Sequence, residues 1–203
     1  VLTHEIMNTV TPISSLSDTL LKFDNVSNEV RNGLSAISQS SKGLIKFVET
    51  YRDLTKVAPP VKKAFFFKDM VMRVIELTHE EVFSRGATCR YIEKSEDILL
   101  YADQNQIVQI LINLIKNGIQ ADAKKIEIQG EINLAEQVII SVTNDGTPIS
   151  KESQNQIFVP FFTTKEDGTG IGLSLSRQIM RMHNGSLTLT KSDAEGTIFT
   201  LTF

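Results

Sequence analysis

Residues Gly168-Thr169-Gly170-Ile171-Gly172-Leu173 place three glycines at alternate positions, directly before a helical pattern over 174–183. Glycine has no Cβ, so the backbone of such a run lets a ligand approach closely. The start of a helix presents unpaired N–H groups and the positive end of the helix dipole. Together these features predict a cradle for phosphate oxygens, although a plain structural turn also explains the pattern.

The composition sets limits on the kind of protein. The 203 residues suffice for one large domain or two small ones. A net charge of -3 argues against a broad nucleic-acid surface, so no nucleic-acid partner is expected. The single cysteine, Cys89, excludes an internal disulfide framework.

No apolar stretch approaches the roughly 20 residues that cross a bilayer. A helical pattern is already running at Leu2, so we expect a cytoplasmic fragment of a longer protein. Contact with the inner membrane would then depend on segments upstream of the fragment.

Two amphipathic helical patterns fill residues 1–57, and turn formers at 23–28 separate them. The first stripe is Ile6, Val10, Ile13, Leu16 and Leu20, and the second is Val30, Leu34, Ile37, Leu44, Val48, Tyr51 and Leu54. The pattern predicts an antiparallel helical hairpin. One hairpin cannot bury both stripes, whereas two copies can as a four-helix bundle, so we expect a homodimer. The alternative is that the hairpin packs on the remainder of its own chain.

Ala58-Pro59-Pro60 predicts a linker at 58–60, followed by a second domain over 61–203. Helical patterns occupy 69–85, 103–121 and 174–183, and strand patterns occupy 65–67, 88–92, 98–101, 125–132, 137–143, 186–190 and 197–202. Helices followed by adjacent strand pairs predict a mixed sheet with helices on one face. The expected class is therefore α+β: a helical hairpin followed by an α/β sandwich.

Asn113 and Asn117 lie four residues apart and so share one face of the long predicted helix. Asparagine is unfavourable inside a helix. Carbonyl oxygens of this kind are ligands that suit Mg²⁺. The alternative is a pair of partly exposed hydrogen-bonding residues.

Asp145 and Gly146 directly follow a predicted strand. A carboxylate here can accept a hydrogen bond from an exocyclic amine such as that of adenine, and Gly146 lets a flat base lie close; a plain turn is the alternative. The apolar stretch 158–162 then precedes the polar stretch 163–167, which suggests a lid with a hydrophobic anchor. From this lid Lys165 either reaches phosphates or merely solvates the loop.

His4 lies two residues before Ile6, about 200° around the helix, so it is predicted to face away from the apolar stripe. Asn8 is one turn further on, and Glu5 is adjacent. An imidazole can attack phosphorus while a neighbouring carboxylate takes its other proton. The alternative is an ordinary surface histidine.

Taken together, five motifs resemble those of sensor histidine kinases, in the family's order. They are His4-Glu5-x-x-Asn8 (phosphoacceptor box), Asn113-x-x-x-Asn117 (asparagine box), Asp145-Gly146-x-Pro148-Ile149 (first glycine box), Phe158-x-Pro160-Phe161-Phe162 (phenylalanine box) and Gly168-x-Gly170-x-Gly172-Leu173 (second glycine box). The resemblance implies a dimerisation and histidine-phosphotransfer hairpin, followed by an ATP-binding domain of the superfamily shared with gyrase, Hsp90 and MutL.

The resemblance also implies roles for these residues. His4 would take the phosphoryl group from ATP, with Glu5 as base, and pass it to an aspartate in the receiver domain of a response regulator. Asn8 would orient a water in a phosphatase reaction, and Asn117, with Asn113 nearby, would hold Mg²⁺. The implied nucleotide-binding residues are Asn113, Asn117, Asp145, Gly146, Phe158, Phe161, Lys165, Gly168, Thr169, Gly170, Ile171, Gly172 and Leu173.

Several positions depart from the common family pattern. Thr9 stands where proline is frequent, Gly118 replaces an alanine and Pro148 replaces a glycine. Two other classes compete with this one: an ATP-driven conformational machine and a scaffold with a vestigial ATP site. The first usually carries a glutamate at the position of Asn113, to activate water, and the second is disfavoured because all the motifs occur in one chain.

Overall fold

The computed structural model describes residues 2–23, 27–55, 57–165 and 168–203, and of residues 2, 4, 50 and 53–55 it describes the backbone only. The predicted turn at 23–28 and the predicted lid at 163–167 therefore include residues, 24–26 and 166–167, that lie outside this description. The predictions for the side chains of His4 and Leu54 lie outside it as well. The chain divides into two units, Val1–Val57 and Ala58–Phe203.

The first unit is a pair of packed helices, α1 (Leu2–Leu20, with Pro12 inside it) and α2 (Asn28–Thr55). The contact between the helices buries little apolar surface, because its buried described side chains are Val10, Val48 and several serines. Asp18 of α1 accepts hydrogen bonds from Ser38 Oγ (2.6 Å) and Lys42 Nζ (3.0 Å) of α2. These bonds join the two helices, and the apolar stripes of the hairpin remain largely exposed in the single chain.

The second unit contains four helices and seven strands among its described residues. In chain order they are β1 (Lys63–Phe66), α3 (Phe67–Ser84), β2 (Thr88–Glu93), β3 (Leu99–Ala102), α4 (Gln104–Ile119), β4 (Lys125–Ile132), β5 (Val138–Asn144), α5 (Lys151–Gln154), α6 (Gly172–Met182), β6 (Ser186–Asp193) and β7 (Gly196–Thr202). Strands β1 and β3 form a small antiparallel sheet. The larger sheet has the order β2-β4-β5-β7-β6, in which only the pair β2–β4 is parallel.

Helices α3, α4 and α6 pack against this five-stranded sheet. The buried strand residues alternate with polar ones, as expected when one face of a sheet is covered and the other is solvated. The fully buried set that forms the core is Phe67, Met70, Ile107, Ile110, Leu111, Leu114, Ile115, Ile126, Ile128, Ile140, Ile179 and Met180. The predicted α+β class, with helices on one face of a mixed sheet, is confirmed.

The observed helix ends differ in places from the bounds predicted from the sequence. Helix α6 begins at Gly172 rather than residue 174, so the last glycine lies in its first turn. The four-residue helix α5 is not predicted, because so short a segment shows no helical periodicity. Asp103, the first residue of the helical pattern over 103–121, is the N-cap of α4: its side chain accepts hydrogen bonds from the backbone N–H groups of Asn105 and Gln106.

Candidate functional site

A cavity of about 690 Å³ opens in the second unit between α4, the end of β5, the glycine run (residues 168–173) and β7. This is a typical size for a small-molecule site. The residues that line it are Asn113, Lys116, Asn117, Gln120, Ala121, Asp122, Asn144, Thr147, Pro148, Ile149, Ser150, Ser153, Ile157, Phe162, Thr163, Thr164, Lys165, Gly168, Thr169, Gly170, Gly172, Leu173, Thr197 and Phe199.

Asn113 and Asn117, the asparagine pair, both line this cavity from α4. Asn113 Nδ2 donates a hydrogen bond to Ser176 Oγ of α6 (3.1 Å). Asn117 Nδ2 is buried and has no hydrogen-bond partner in the described part of the chain. A buried amide left without a partner costs stability, so this amide does not contribute a hydrogen bond to the fold and is available to a ligand in the cavity.

These residues fit a magnesium–phosphate group. Amide oxygens are hard ligands, and Mg²⁺ is commonly held by few protein ligands together with substrate phosphates. Over the described residues there is no cluster of three or more His, Cys, Asp or Glu that could hold a metal by itself. A magnesium ion at this site would therefore depend on the phosphates of a bound nucleotide.

The glycine run meets α4 at Gly172, where a Cβ atom would overlap the amide oxygen of Asn113. Residue Ile171 is the N-cap of α6 and makes no side-chain capping hydrogen bond, and its side chain is buried rather than in the cavity. No side chain therefore caps the first N–H groups of α6. These groups lie beside Gly170 and Leu173, which form part of the cavity wall. This is the arrangement that anions occupy at helix starts.

The phenylalanine segment (residues 158–162) lies against one side of the glycine run. Phe162 lines the cavity, whereas Phe158 and Phe161 do not. The Phe158 ring packs edge-on against Phe199 (6.4 Å between centroids) and lies under the guanidinium of Arg177 (4.1 Å). Phe158 therefore has a structural contact behind the cavity wall.

Lys165 lines the cavity and its Nζ donates a hydrogen bond to Gln120 Oε1 (2.8 Å) at the end of α4. Burial lowers the pKa of Lys165 from its ordinary value. A partly desolvated ammonium group gains most from an anionic partner. Of the two interpretations left open by the sequence, phosphate binding is the one that this position favours.

Asp145 and Gly146 do not line the cavity. Asp145 Oδ1 accepts hydrogen bonds from the backbone N–H groups of Lys124 (2.7 Å) and Lys125 (2.8 Å). Desolvation alone would raise the pKa of Asp145, but these hydrogen bonds together hold it below its ordinary value. Gly146 packs on the turn after α4, where a Cβ would be 2.5 Å from the carbonyl oxygen of Ala121. The structure thus shows this pair stabilising the turn outside the cavity wall. The contact with a base remains a prediction from the sequence.

Asn144 takes the place in the cavity wall that was expected of Asp145. It is 4% exposed, and its Cα partner on β7 is Thr197, which also lines the cavity. The alternation of β5 indicates that Asn144 faces the protein interior, because Ile140, Val142 and Asn144 share the buried face while Asp145 follows the strand. The motif pattern alone favours Asp145.

His4, Glu5 and Asn8 belong to α1 of the first unit. The side chains of Glu5 and Asn8 are exposed to solvent, as predicted for this face of the helix. Thr9 Oγ1 donates a hydrogen bond to the backbone oxygen of Glu5 (2.9 Å).

Comparison with known proteins identifies the class. Residues 102–203 match the family described as histidine kinase-, DNA gyrase B-, and HSP90-like ATPase. The chain belongs to this ATPase family, and membership implies that its second unit binds ATP.

The individual relatives are histidine kinases. The sensor histidine kinase ZraS of Salmonella typhi is 27% identical over 200 residues, which cover 98% of this chain and 43% of ZraS. The catalytic domain of the histidine kinase ThkA is 34% identical with a TM-score of 0.63, over 70% of this chain and 94% of that domain. ThkA in complex with the response regulator protein TrrA is 27% identical with a TM-score of 0.68, over 100% of this chain and 59% of that one.

The resemblance to sensor histidine kinases is therefore confirmed. The chain spans less than half the length of ZraS. Among the described helices, none combines the length and apolar character needed to cross a membrane.

Proposed function

We propose that this chain is the transmitter region of a two-component sensor: an ATP-dependent protein-histidine kinase that phosphorylates itself on His4. The phosphoryl group then passes to an aspartate in the receiver domain of a response regulator. The observation that carries the proposal is the cavity that gathers the asparagine pair, Lys165 and the glycine run. In this scheme residues 1–57 are the phosphotransfer domain, 58–60 the linker and 61–203 the ATP-binding domain.

The cavity supplies positioning and charge. Backbone N–H groups at Gly170 and Gly172 would hold phosphate oxygens, with Lys165 as a cation beside them. The amide oxygens of the asparagine pair would hold Mg²⁺, which neutralises phosphate charge when bound. Phosphoryl transfer depends mainly on such positioning and neutralisation.

The residues at the cavity favour transfer to a protein nucleophile over hydrolysis. Asn113 occupies the position at which a hydrolytic relative would carry a glutamate. Its amide cannot take a proton from water, and its Nδ2 is engaged with Ser176 Oγ. An ATP-driven conformational machine is for this reason the weaker candidate.

The nucleophile in our proposal is the neutral imidazole of His4. One ring nitrogen would bond to the γ-phosphorus while the bond from that phosphorus to the β,γ-bridging oxygen breaks and ADP leaves. The proton on the other ring nitrogen would pass to the carboxylate of Glu5, which is exposed on the same helix. Asn8 would orient the water that dephosphorylates the regulator.

We further propose that the hairpin forms a homodimer. In the single chain the hairpin leaves large apolar side chains exposed: Ile13, Leu16, Leu20, Val30, Ile37, Leu44, Phe47 and Tyr51. An apolar surface of this extent on a helix pair marks an interface. A second copy supplies a matching stripe and completes a four-helix bundle.

The test is labelling of the 203-residue chain with γ-³²P-ATP and Mg²⁺. We expect an acid-labile, alkali-stable phosphate that is lost in His4→Gln and kept in His79→Gln, a matched change at an exposed histidine of α3. Equal labelling of His4→Gln would remove His4 from the scheme.

A further inference from the structure

We propose that Asn144 is the residue that reads the base of the bound nucleotide, and that it does so as a hydrogen-bond donor. It follows that the site discriminates weakly between adenine and guanine nucleotides. This inference rests on the proposed function, because it presupposes a nucleoside triphosphate in the cavity.

Asn144 is a buried polar residue in the wall of the cavity. Its side chain is 4% exposed and lines the cavity at the end of β5. Its neighbour across the ladder is Thr197, which is 3% exposed and lines the same wall. A buried polar pair that faces a cavity is the kind of feature that orients a ligand.

The Asn144 amide has a defined orientation. Asn144 Oδ1 accepts a hydrogen bond from the backbone N–H of Gly146 (3.2 Å). A buried N–H requires an acceptor, so this bond fixes which end of the amide is the oxygen. No residue of the described chain accepts a hydrogen bond from Asn144 Nδ2, which remains the free donor.

Close packing holds the side chain in place. A Cβ atom at Gly118 would lie 3.1 Å from Asn144 Cβ and 3.3 Å from its Cγ, so α4 passes directly against this amide. Asp145, meanwhile, is committed to the N–H groups of Lys124 and Lys125. Asn144 thus faces the cavity with a fixed donor, while the neighbouring carboxylate stays on the turn.

The chemistry of the purine edge then decides selectivity. At the 6-position of the purine a carboxylate, which only accepts hydrogen bonds, would select the amino group of adenine over the oxygen of guanine. The Asn144 Nδ2 group instead donates, and both bases offer it an acceptor on this edge, N1 in adenine and O6 in guanine. Thr197 adds little discrimination, because its hydroxyl pairs with Ser192 Oγ (2.8 Å) and can act as donor or acceptor.

The experiment measures the ratio of ATP to GTP affinity on the full chain by calorimetry, using the non-hydrolysable β,γ-imido analogues with Mg²⁺. For the unchanged protein we expect affinities within about tenfold of each other, since a single donor is compatible with both bases. Asn144→Asp replaces the donor with an acceptor, and we expect it to raise the preference for ATP by at least about tenfold.

Two variants control the interpretation. Asn105→Asp adds the same charge at an exposed position in the first turn of α4, outside the cavity wall, and should leave the ratio unchanged. Asp145→Asn should also leave the ratio unchanged and lower only thermal stability. If Asn144→Asp does not fold, Asn144→Ala takes its place and should weaken both nucleotides by the same factor.

An ATP preference beyond about tenfold in the unchanged protein would overturn this inference while leaving the proposed function in place. A ratio that moves with Asp145→Asn, or does not move with Asn144→Asp, would overturn it as well. Failure to bind either nucleotide would instead remove the proposed function, and this inference with it.

Discussion

The backbone N–H of Phe161 donates a hydrogen bond to the carbonyl oxygen of Gly170 (2.9 Å), and Phe161 adopts a left-handed conformation with φ +68°. Gly170 is left-handed too, at φ +66°, and a Cβ there would overlap the backbone of Phe161. A left-handed phenylalanine is strained. The phenylalanine segment and the glycine run are therefore joined by a backbone hydrogen bond and by close packing at Gly170.

Gly170→Ala should break this contact. The new methyl group overlaps the carbonyl groups of Phe161 and Phe162 and also strains the left-handed backbone. We expect nucleotide affinity to fall by more than about tenfold, because the phosphate-binding backbone must move. Calorimetric titration with ATP and Mg²⁺ measures this.

Gly86→Ala is the matched control for Gly170→Ala. Gly86 has a similar φ of +63°, but a Cβ atom added there would meet no described atom within 4 Å. The substitution should cost about 1–2 kcal/mol of stability from backbone strain alone and leave nucleotide affinity unchanged. Equal affinity losses in both variants would show that strain, not the Phe161 contact, matters.

Asn117→Leu should separate stability from binding. The Asn117 amide nitrogen is buried without a partner among the described residues, so an apolar group of similar size should leave the free energy of unfolding unchanged or raise it by about 1 kcal/mol. Binding of ATP with Mg²⁺ should be lost, since the amide oxygen is gone. Urea denaturation and calorimetry on the same variant measure the two effects.

Asn113→Leu provides the contrast on the same helix face. It removes the hydrogen bond to Ser176 and crowds Gly172, so it should destabilise the fold by about 1 kcal/mol as well as weaken binding. A destabilised Asn117→Leu would contradict the view that Asn117 serves the ligand rather than the fold.

The sequence predicts the parts of this site that depend on local periodicity. The four-residue spacing puts Asn113 and Asn117 on one face of α4, and both do line the cavity. The apolar residues of the predicted helix over 103–121 fall on one face at helical spacing, and those on that face, including Ile107 and Leu114, are buried. Such features follow from helix geometry alone.

Features that depend on contacts between distant segments cannot be predicted in this way. The left-handed Phe161 is set by its bond to Gly170, and Lys165 is held by Gln120 at the far end of α4. The choice between Asn144 and Asp145 is open to sequence reasoning, because strand alternation separates them. The motif pattern favours the carboxylate instead, although three-dimensional packing commits it to backbone N–H groups.

Protonation of the Asp145 carboxylate in acid should lower the free energy of unfolding of the second unit. Desolvation raises the pKa of Asp145, but the hydrogen bonds from Lys125 and Lys124 together outweigh it and hold this pKa below its ordinary value. A carboxylate with a depressed folded-state pKa stabilises the fold above its unfolded pKa. That contribution is lost as pH falls through the folded pKa.

Urea unfolding between about pH 7 and pH 3 measures this effect. Asp145→Asn keeps an oxygen that can accept from both N–H groups but cannot titrate, so its stability should depend less steeply on pH below about 4. Identical slopes for the two proteins would show that the Asp145 carboxylate is not coupled to folding.

His183 joins the end of α6 to the start of α4. Its Nε2 accepts a hydrogen bond from the backbone N–H of Asp103 (2.9 Å), and its Nδ1 bonds to the carbonyl oxygen of Ile179 (2.9 Å). His183 is 7% exposed, and His183→Phe removes the acceptor of the Asp103 N–H, whereas the Ile179 carbonyl keeps its bond from the backbone N–H of residue 183 (3.1 Å). We expect a loss of about 1–3 kcal/mol in urea denaturation. His79→Phe, at an exposed position on α3, should change stability by less than about 0.5 kcal/mol.

The hairpin dimer is tested by a charge in its exposed stripe. Leu16 is 61% exposed in the single chain, and in a four-helix bundle it would be covered by the second copy. Leu16→Glu would then bury an unpaired carboxylate, which is costly, so the dimer should dissociate to monomers in sedimentation experiments. Leu77→Glu makes the same change at a side chain of α3 that is 58% exposed and lies outside the hairpin, and it should leave the dimer intact. A monomeric unchanged protein, or a dimer that survives Leu16→Glu, would rule out this face as the interface.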